Sequence, residues 1–248
     1  MARLQDFKVL TFDCYGTLID WETGIWDGLQ PLLAANSCTE VTREKALMEY
    51  AKLEAAQESE TPGMLYSMVL RNVHKKFAAQ HGLATDDALD ADFGASLPHW
   101  PAFPDSADAL RSLKAQFKLV ILSNISREGF AASNRKLGVD FDAIYTAEDI
   151  GSYKPDPANF EYLLAHLERD LGLAKSDVLH TAQSLFHDHV PAKKLGLANA
   201  WIDRQRLSES GSWGATAVVD ERPDIDFQFF SMGELAEAAK NSCHATEI

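Results

Sequence analysis

Four polar positions along this chain could together carry out nucleophilic displacement by a carboxylate. Asp13 comes directly after an apolar run, and Ser123 with Asn124, then Lys154, then Asp188 follow later in the sequence. A carboxylate attacks best when a nearby cation keeps it ionised and oriented, which Lys154 could do. Ser123 and Asn124 offer neutral donors for a substrate carboxylate or a leaving anion. Asp188, at a predicted helix start, could hold Lys154 in place or align a water molecule.

These positions follow the predicted strands of one sheet. Val9–Phe12 is a short apolar run, typical of a strand that is buried on both faces. Strands that alternate with helices predict an α/β fold, a doubly wound parallel sheet with a Rossmann-like core. The carboxyl ends of its strands meet at one edge, where such folds place their chemistry. The other predicted strands are Phe117–Leu122, Ala143–Thr146, Val178–Thr181, Ala198–Ile202 and Ala217–Asp220.

A helical insert interrupts the alternation after the first strand. No strand pattern occurs between Asp20 and Leu97, where apolar residues recur at helical spacing. The segment Pro98–Asp105 contains three prolines and suits a hinge between two domains. We therefore predict a Rossmann-like core domain at residues 1–18 and 99–248 and an all-helical cap domain at residues 19–98.

The composition is that of an ordinary globular protein. The chain has 248 residues, of which 46% are hydrophobic and 24% charged, and a formal net charge of −14. That charge argues against nucleic acid or an anionic membrane surface as a partner. Three widely spaced cysteines, with no signal peptide and no apolar stretch long enough to span a bilayer, predict a cytoplasmic protein with reduced thiols.

In their order along the chain, these motifs resemble those of the haloacid dehalogenase superfamily. The motifs are DCYGT at Asp13–Thr17, LSN at Leu122–Asn124, YKPDP at Tyr153–Pro157, and Asp188 ahead of a helix. The resemblance implies that Asp13 is the nucleophile and that Thr17 supports it. It also implies that Ser123 and Asn124 form the second motif, Lys154 the third and Asp188 the fourth, and that the helical insert is the cap.

Two positions separate this chain from the phosphatases of that superfamily. Where those enzymes carry an acidic residue two positions after the nucleophile, this chain has Tyr15, and where they carry a metal-binding carboxylate it has Ser184. Mg²⁺ prefers several oxygen ligands in octahedral order, and phosphoryl transfer depends on its metal. The sequence resembles instead the metal-independent 2-haloacid dehalogenases, which implies no metal and no cofactor.

The resemblance also implies a mechanism in two steps. The carboxylate of Asp13 attacks the α-carbon of a small 2-substituted acid, the substituent leaves, and an ester forms. Water then hydrolyses the ester and releases a 2-hydroxy acid of inverted configuration. Ser123, Lys154 and the backbone N–H groups of Cys14 and Tyr15 would hold the substrate carboxylate, whereas the Cys14 side chain is predicted to lie in the core.

Several residues depart from the better-known haloacid dehalogenases. Arg43 is nearest to their halide-binding arginine, although Glu44 stands in the aligned register, and Phe160 replaces a tyrosine. Gln183 and Leu185 replace a serine and an asparagine of their fourth motif. These changes lie at the predicted sites for the leaving group and the water, so they affect the choice of substrate more than the assignment of Asp13 as the nucleophile.

The segment around the fourth motif is also compatible with a second class of substrate. The string TAQSLFHDHVPA also resembles a subgroup that includes azetidine-2-carboxylate hydrolase, in which the leaving group is a ring amine. An amine leaves best when it is protonated, and His187, Tyr15 or Asp188 could donate the proton. Phe186 and His187 are predicted to line the cleft, and His189 to lie at the surface.

Other functional classes and assemblies remain open from the sequence. A phosphatase and a non-catalytic binding protein on the same fold are the alternatives of a different class, and the intact set of motif residues argues against the second. Trp21, Trp26 and Tyr66 are predicted to pack within the cap or at an interface. The predicted partner is a small carboxylate substrate, and the sequence is also compatible with a homodimer.

Overall fold

A six-stranded parallel sheet forms the centre of the molecule. The computed structural model describes residues 2–210 and 219–244. The strands lie in the order β3-β2-β1-β4-β5-β6, and every neighbouring pair is parallel. This order confirms the predicted α/β fold with a doubly wound parallel sheet. The strands are β1 (Val9–Phe12), β2 (Lys118–Ser123), β3 (Ala143–Thr146), β4 (Val178–Ala182), β5 (Ala198–Ile202) and β6 (Phe227–Phe229).

Alternation along the central strands fills both faces of the sheet with apolar side chains. In β1, Leu10 and Phe12 join the larger apolar cluster, whereas Val9 joins the cluster on the opposite face. Successive side chains of a strand point to opposite faces, so both faces of β1 are buried. Because β2 and β4 flank β1, the loops that follow these three strands open at the same edge of the sheet.

Helices occupy most of the remaining chain. Residues 20–97, all of which the structure describes, contain four α-helices and no strand, as the sequence predicts. Asp20 and Thr42 cap the first two of them by accepting backbone N–H groups. The division into core and cap at residues 18 and 99 stays a prediction. The helices are α1 (Trp21–Ala35), α2 (Arg43–Glu60), α3 (Tyr66–Gln80), α4 (Asp87–Gly94), α5 (Ser106–Lys114), α6 (Arg127–Leu137), α7 (Ala147–Ile150), α8 (Pro157–Leu171), α9 (Val190–Lys194), α10 (Leu207–Ser210) and α11 (Met232–His244).

The last strand of the sheet differs from the prediction. The predicted strand Ala217–Asp220 lies partly outside the described residues, and its described part, residues 219–220, is not a strand. The edge of the sheet is instead formed by β6, which pairs with β5. Val219 is buried in a small apolar cluster beside Trp201, which explains why its sequence looks strand-like.

None of the helices in the described part of the chain is both long enough and apolar enough to span a bilayer.

Candidate active site

A buried lysine joins two carboxylates at the edge of the sheet. Lys154 Nζ lies 2.9 Å from Asp13 Oδ1 and 2.6 Å from Asp188 Oδ1. It also donates to the carbonyl oxygen of Leu122 at 3.0 Å. An ammonium group has three donors, and protein oxygens take all three. Lys154 therefore acts on Asp13 and Asp188, and the expectation that it also donates to a substrate carboxylate does not agree with this geometry.

Each of these side chains lies in a loop or turn at the carboxyl edge of the sheet. Asp13 follows β1, and Asp188 lies in a turn of π-helix, Leu185–His189, that follows β4. Lys154 lies in the loop between α7 and α8, where Asn124 accepts its backbone N–H at 2.7 Å and donates to its carbonyl oxygen at 3.0 Å. The second motif therefore fixes the backbone of the third.

Thr17 holds the other oxygen of the central carboxylate. Its hydroxyl donates to Asp13 Oδ2 at 2.9 Å and accepts the backbone N–H of Gln183 at 2.9 Å. Between these residues the chain turns at Gly16, whose φ of +88° favours glycine. Both oxygens of Asp13 are thus held by neighbouring donors, and its orientation is fixed.

Burial and charge set the ionisation of the three central groups. Burial raises the pKa of Asp13 above its usual value, and Lys154 limits the rise. Burial would also raise the pKa of Asp188, but Lys154 and a hydrogen bond from His180 outweigh it and hold that pKa well below its usual range. Burial would lower the pKa of Lys154, but the two carboxylates raise it. Lys154 is therefore a cation and Asp188 an anion at neutral pH.

His180 is a part of the site that sequence reasoning missed. Its Nε2 donates to Asp188 Oδ1 at 2.9 Å, because an ionised carboxylate only accepts. Its Nδ1 lies 2.9 Å from Thr11 Oγ1, on the residue that pairs with it across β1 and β4. Oδ1 of Asp188 is held in this way from two sides, and Oδ2 has no hydrogen-bond partner among the described residues. The only sequence signal was a histidine inside an apolar strand.

Replacing His180 with Leu should lower kcat ten- to a hundredfold. A hydrogen bond to a charged group contributes roughly 1.5–3 kcal/mol, and each 1.4 kcal/mol is about tenfold in rate. The matched variant His180→Gln keeps a donor near the same place and should recover part of the loss. Steady-state kinetics on both variants checks this. Equal activity in the two would mean that His180 only fills space.

A cavity of about 230 Å³ opens above these groups. Its wall contains most of the residues that the sequence singles out: Asp13, Tyr15, Arg43, Ser123, Asn124, Lys154, His187 and Asp188. Ser123 is 2% exposed, and its hydroxyl has no partner among the described residues. Such a buried, unused hydroxyl is a ready donor for a ligand.

Two predicted site residues lie behind the cavity wall. Thr17 is fully buried beneath Asp13, to which it donates. The Cys14 side chain is fully buried in the apolar core, as expected, so only its backbone can bind a substrate.

The Tyr15 hydroxyl lies 2.7 Å from Ser133 Oγ and is occupied there, so it is poorly placed as a proton donor.

The turn around the fourth motif corrects two predictions. His189 is fully buried, not at the surface, and its Nε2 lies 2.9 Å from the Ala182 carbonyl oxygen. Phe186 packs against the apolar cluster around Trp201 and is not brought to the cavity. The backbone N–H of His189 bonds to the carbonyl five residues earlier, a π-helical turn. This winding changes which side chains point inward.

His187 does line the cavity, as predicted. Burial lowers its pKa to about 4, so the ring is neutral at neutral pH. Its Nδ1 lies 3.1 Å from Ser184 Oγ, and its Nε2 has no partner among the described residues. His187 is therefore a neutral polar group in the wall and not a strong acid.

No cluster of three or more His, Cys, Asp or Glu side chains in residues 2–210 and 219–244 is arranged to hold a metal ion. Ser184 stands four residues before Asp188, at the position where a metal site would need a further carboxylate. Its hydroxyl accepts the backbone N–H of His187 at 3.1 Å.

The helices α1, α2 and α3 contribute a wall that the sequence did not predict. Trp21 and Tyr66 line the cavity, although they were expected only to pack, while Trp26 packs against the core as expected. Glu54 and Glu58, four residues apart in α2, line the same wall. Burial raises the pKa of Glu54 to about 7 and that of Glu58 well above its usual value.

Glu54→Gln should increase the free energy of unfolding, relative to the wild-type protein, by more at pH 8 than at pH 5. Its pKa is raised to about 7 from 4.5, so the folded state holds the proton more tightly and stability falls as pH rises across that window. The variant removes this cost and should gain about 2 kcal/mol more at pH 8 than at pH 5. Urea unfolding at both pH values measures it, with the exposed Glu60→Gln as control. A gain of equal size at the two pH values would contradict the prediction.

The comparisons with known proteins give the family. The sequence model of the haloacid dehalogenase-like hydrolases matches residues 7–181. The chain belongs to this family. It is 27% identical over 235 residues to the (S)-2-haloacid dehalogenase of Pseudomonas putida, a match that covers 89% of this chain and 92% of that one. The (S)-2-haloacid dehalogenase of Pseudomonas fluorescens matches with the same identity and coverage.

A solved structure confirms the fold. The L-2-haloacid dehalogenase of Xanthobacter autotrophicus, with chloropropionic acid covalently bound, superposes with a TM-score of 0.74 at 20% identity, and the match covers 94% of this chain and 98% of that one. The parallel sheet of this hydrolase family member, with its flanking helices, is therefore shared with that enzyme.

Proposed function

We propose that this hydrolase removes the halide from small 2-haloacids through an ester on Asp13. The observation that carries the proposal is the orientation of one carboxylate. Asp13 faces a cavity of about 230 Å³, with Lys154 on one oxygen and Thr17 on the other. Relatives named (S)-2-haloacid dehalogenase, and a structural neighbour with chloropropionic acid covalently bound, support the same chemistry.

The first step forms the ester. An oxygen of Asp13 attacks the α-carbon from the side opposite the halide, the new C–O bond forms, and the carbon–halogen electron pair leaves with the halide ion. Lys154 keeps the attacking carboxylate ionised. The free hydroxyl of Ser123 and the backbone N–H groups of Cys14 and Tyr15 hold the substrate carboxylate, and Arg43 is the candidate to receive the halide.

The second step restores the enzyme. Water attacks the carbonyl carbon of the ester, and Asp188, through its unpartnered Oδ2, accepts the proton of that water. The bond between the Asp13 carboxyl carbon and the ester oxygen breaks, the former Asp13 oxygen stays on the α-carbon as the product hydroxyl, and the water oxygen stays on Asp13, so a 2-hydroxy acid of inverted configuration leaves. The overall reaction consumes one water and releases halide and one proton. Neutral His187 lines the same cavity.

Two measurements test the proposal. Purified protein is incubated with both enantiomers of 2-chloropropionate, with chloroacetate and with fluoroacetate in the presence of EDTA, and halide release and product mass are followed. A single turnover in ¹⁸O-water should label Asp13 and not the product, because the product oxygen comes from Asp13. Label in the product hydroxyl after one turnover, or loss of all activity with EDTA, would exclude this mechanism.

The setting and assembly are also proposals. A cytoplasmic location is supported by Cys14 and Cys38, which are both free thiols. A homodimer is supported by two large apolar residues at the surface, Leu65 just before α3 and Met68 in its first turn, which are 47% and 43% exposed. Light scattering of the purified protein tests the assembly.

A further inference from the structure

The cavity wall carries more carboxyl groups than cationic groups. The described part of its wall carries six carboxyl groups and three cationic groups. The carboxyl groups are Asp13, Asp20, Glu22, Glu54, Glu58 and Asp188, and the cationic groups are Arg43, Lys154 and Arg204. A substrate that brings only a further negative charge would enter an already acidic space.

Each of the three cations already has a carboxylate partner. The pairs are Lys154 with Asp13 and Asp188, Arg204 with Asp105, and Arg43 with Glu22 at 3.9 Å. The lining cations are therefore matched before a substrate binds, and the surplus carboxyl groups lie elsewhere in the wall.

Three lining carboxyl groups have no cationic partner among the described residues: Asp20, which accepts the backbone N–H and the hydroxyl of Thr23, and Glu54 and Glu58. Tyr66 donates its hydroxyl to Glu54 at 2.6 Å, and Asn124 donates to Glu58 Oε2 at 3.3 Å. Neither carboxyl group forms an ion pair within the described residues, and Glu58 Oε1 has no hydrogen bond there. Glu58 is only 5% exposed. Buried carboxyl groups are normally paired with a cation, so the missing cation is a feature that a ligand can supply.

The two side chains also face the reacting group. They stand four residues apart on one face of α2, and both line the cavity that contains Asp13. The hydrogen bond to Asn124 links Glu58 to the residue that fixes the backbone of Lys154. Ser123 Oγ and Asp188 Oδ2, on side chains that are both nine-tenths buried or more, have no hydrogen-bond partner within residues 2–210 and 219–244, and both residues line the same cavity. The cavity thus offers the Ser123 hydroxyl as a neutral donor and, in the same wall, the carboxyl groups of Glu54 and Glu58 without a cationic partner among the described residues.

We propose that Glu54 and Glu58 form a subsite for an ammonium group, so that the preferred substrates are 2-haloacids that also carry a protonated amine. This inference rests on the proposed dehalogenase function and names its substrate class. The substrate carboxylate binds near Ser123, its α-carbon meets Asp13, and its ammonium group donates to the two glutamates.

The protonation of the two glutamates is consistent with this role. Burial raises the pKa of Glu54 to about 7, and each glutamate is buried beside the other, so the pair holds a proton when no ligand is present. An arriving ammonium group replaces that proton. Binding of an amine-bearing ligand should therefore release a proton to the buffer, which a ligand of the same shape without the amine should not do.

Two isosteric substrates test the proposal. The pair is 4-amino-2-chlorobutanoate and 2-chloropentanoate, which differ by an ammonium group in place of a methyl group. At pH 6.5, with the enzyme-free rate subtracted, kcat/KM for the amine should exceed that for the methyl compound at least about tenfold, as expected for a charged hydrogen bond. Glu54→Gln and Glu58→Gln should each reduce that ratio several-fold, whereas the exposed Glu60→Gln on the same helix should leave it unchanged.

A binding measurement keeps this test separate from the proposed function. Calorimetry compares the two product analogues, 4-amino-2-hydroxybutanoate and 2-hydroxypentanoate, on the wild-type protein, so it needs neither turnover nor a folded variant. Tighter binding of the amine, with proton release, supports the subsite. Equal or weaker binding of the amine overturns it, even if halide is released from 2-chloropropionate. Halide release from none of the haloacids, with amine binding intact, overturns the dehalogenase function alone.

Discussion

Asp13→Asn should reduce halide release by about four orders of magnitude or more. The amide oxygen and nitrogen have the same shape as the carboxylate, but neither is a nucleophile of comparable strength, and removing a nucleophile typically costs about this much in kcat. Lys154 keeps its bonds to Asp188 and Leu122, so the fold should persist. Halide release under saturating substrate, beside the circular dichroism spectrum of the variant, measures both parts of the prediction.

Asp20→Asn is the matched control for that variant. Asp20 lines the same cavity, and its side chain caps α1 by accepting the backbone N–H of Thr23 at 3.0 Å. Asn caps a helix about as well as Asp, so the same chemical change away from the nucleophile should alter kcat by only a few-fold. If the two variants lose activity to the same extent, Asp13 has no special role and the ester mechanism is wrong.

The residues that the sequence located correctly are those placed by strand ends. An apolar run of four residues predicts β1, and the residue after it must lie at the carboxyl edge of the sheet. The same reasoning places Ser123 after β2, and the motif spacing supplies Lys154 and Asp188. In the structure Lys154 contacts both carboxylates, because parallel strands that neighbour each other deliver their loops to one place.

The residues that the sequence missed are placed by helix faces and by a local change in winding. Glu54 and Glu58 stand four apart in α2, a spacing that a solvated helix face shows as often as a cavity wall does. Which face meets a cavity depends on packing against other elements, and one sequence contains no direct signal for that. The sequence predicts an ordinary helix from Asp188 and a surface position for His189. The chain instead forms a π-helical turn there, and His189 is buried.

Lys154→Met should destabilise the protein and abolish turnover together. The ammonium group is 1% exposed and lies between two buried carboxylates, so its loss leaves Asp13 and Asp188 without their cation. Removing one partner of a buried pair costs about 3–5 kcal/mol. Turnover should fall by at least about a thousandfold, because the nucleophile would then be protonated over much of the neutral range.

The pH dependence of this loss distinguishes charge from packing. Without Lys154, burial and mutual repulsion raise the folded-state pKa of both carboxylates above their unfolded values. The folded state then holds protons more tightly than the unfolded state, so the variant loses stability as pH rises through those pKa values. Urea unfolding should therefore show a larger deficit at pH 8 than at pH 5. The double variant Lys154→Met with Asp188→Asn has one buried carboxylate fewer and should lose less than the two single changes added together. A deficit that is equal at both pH values would show that the lost hydrogen bonds and altered packing, and not the lost charge, destabilise the variant.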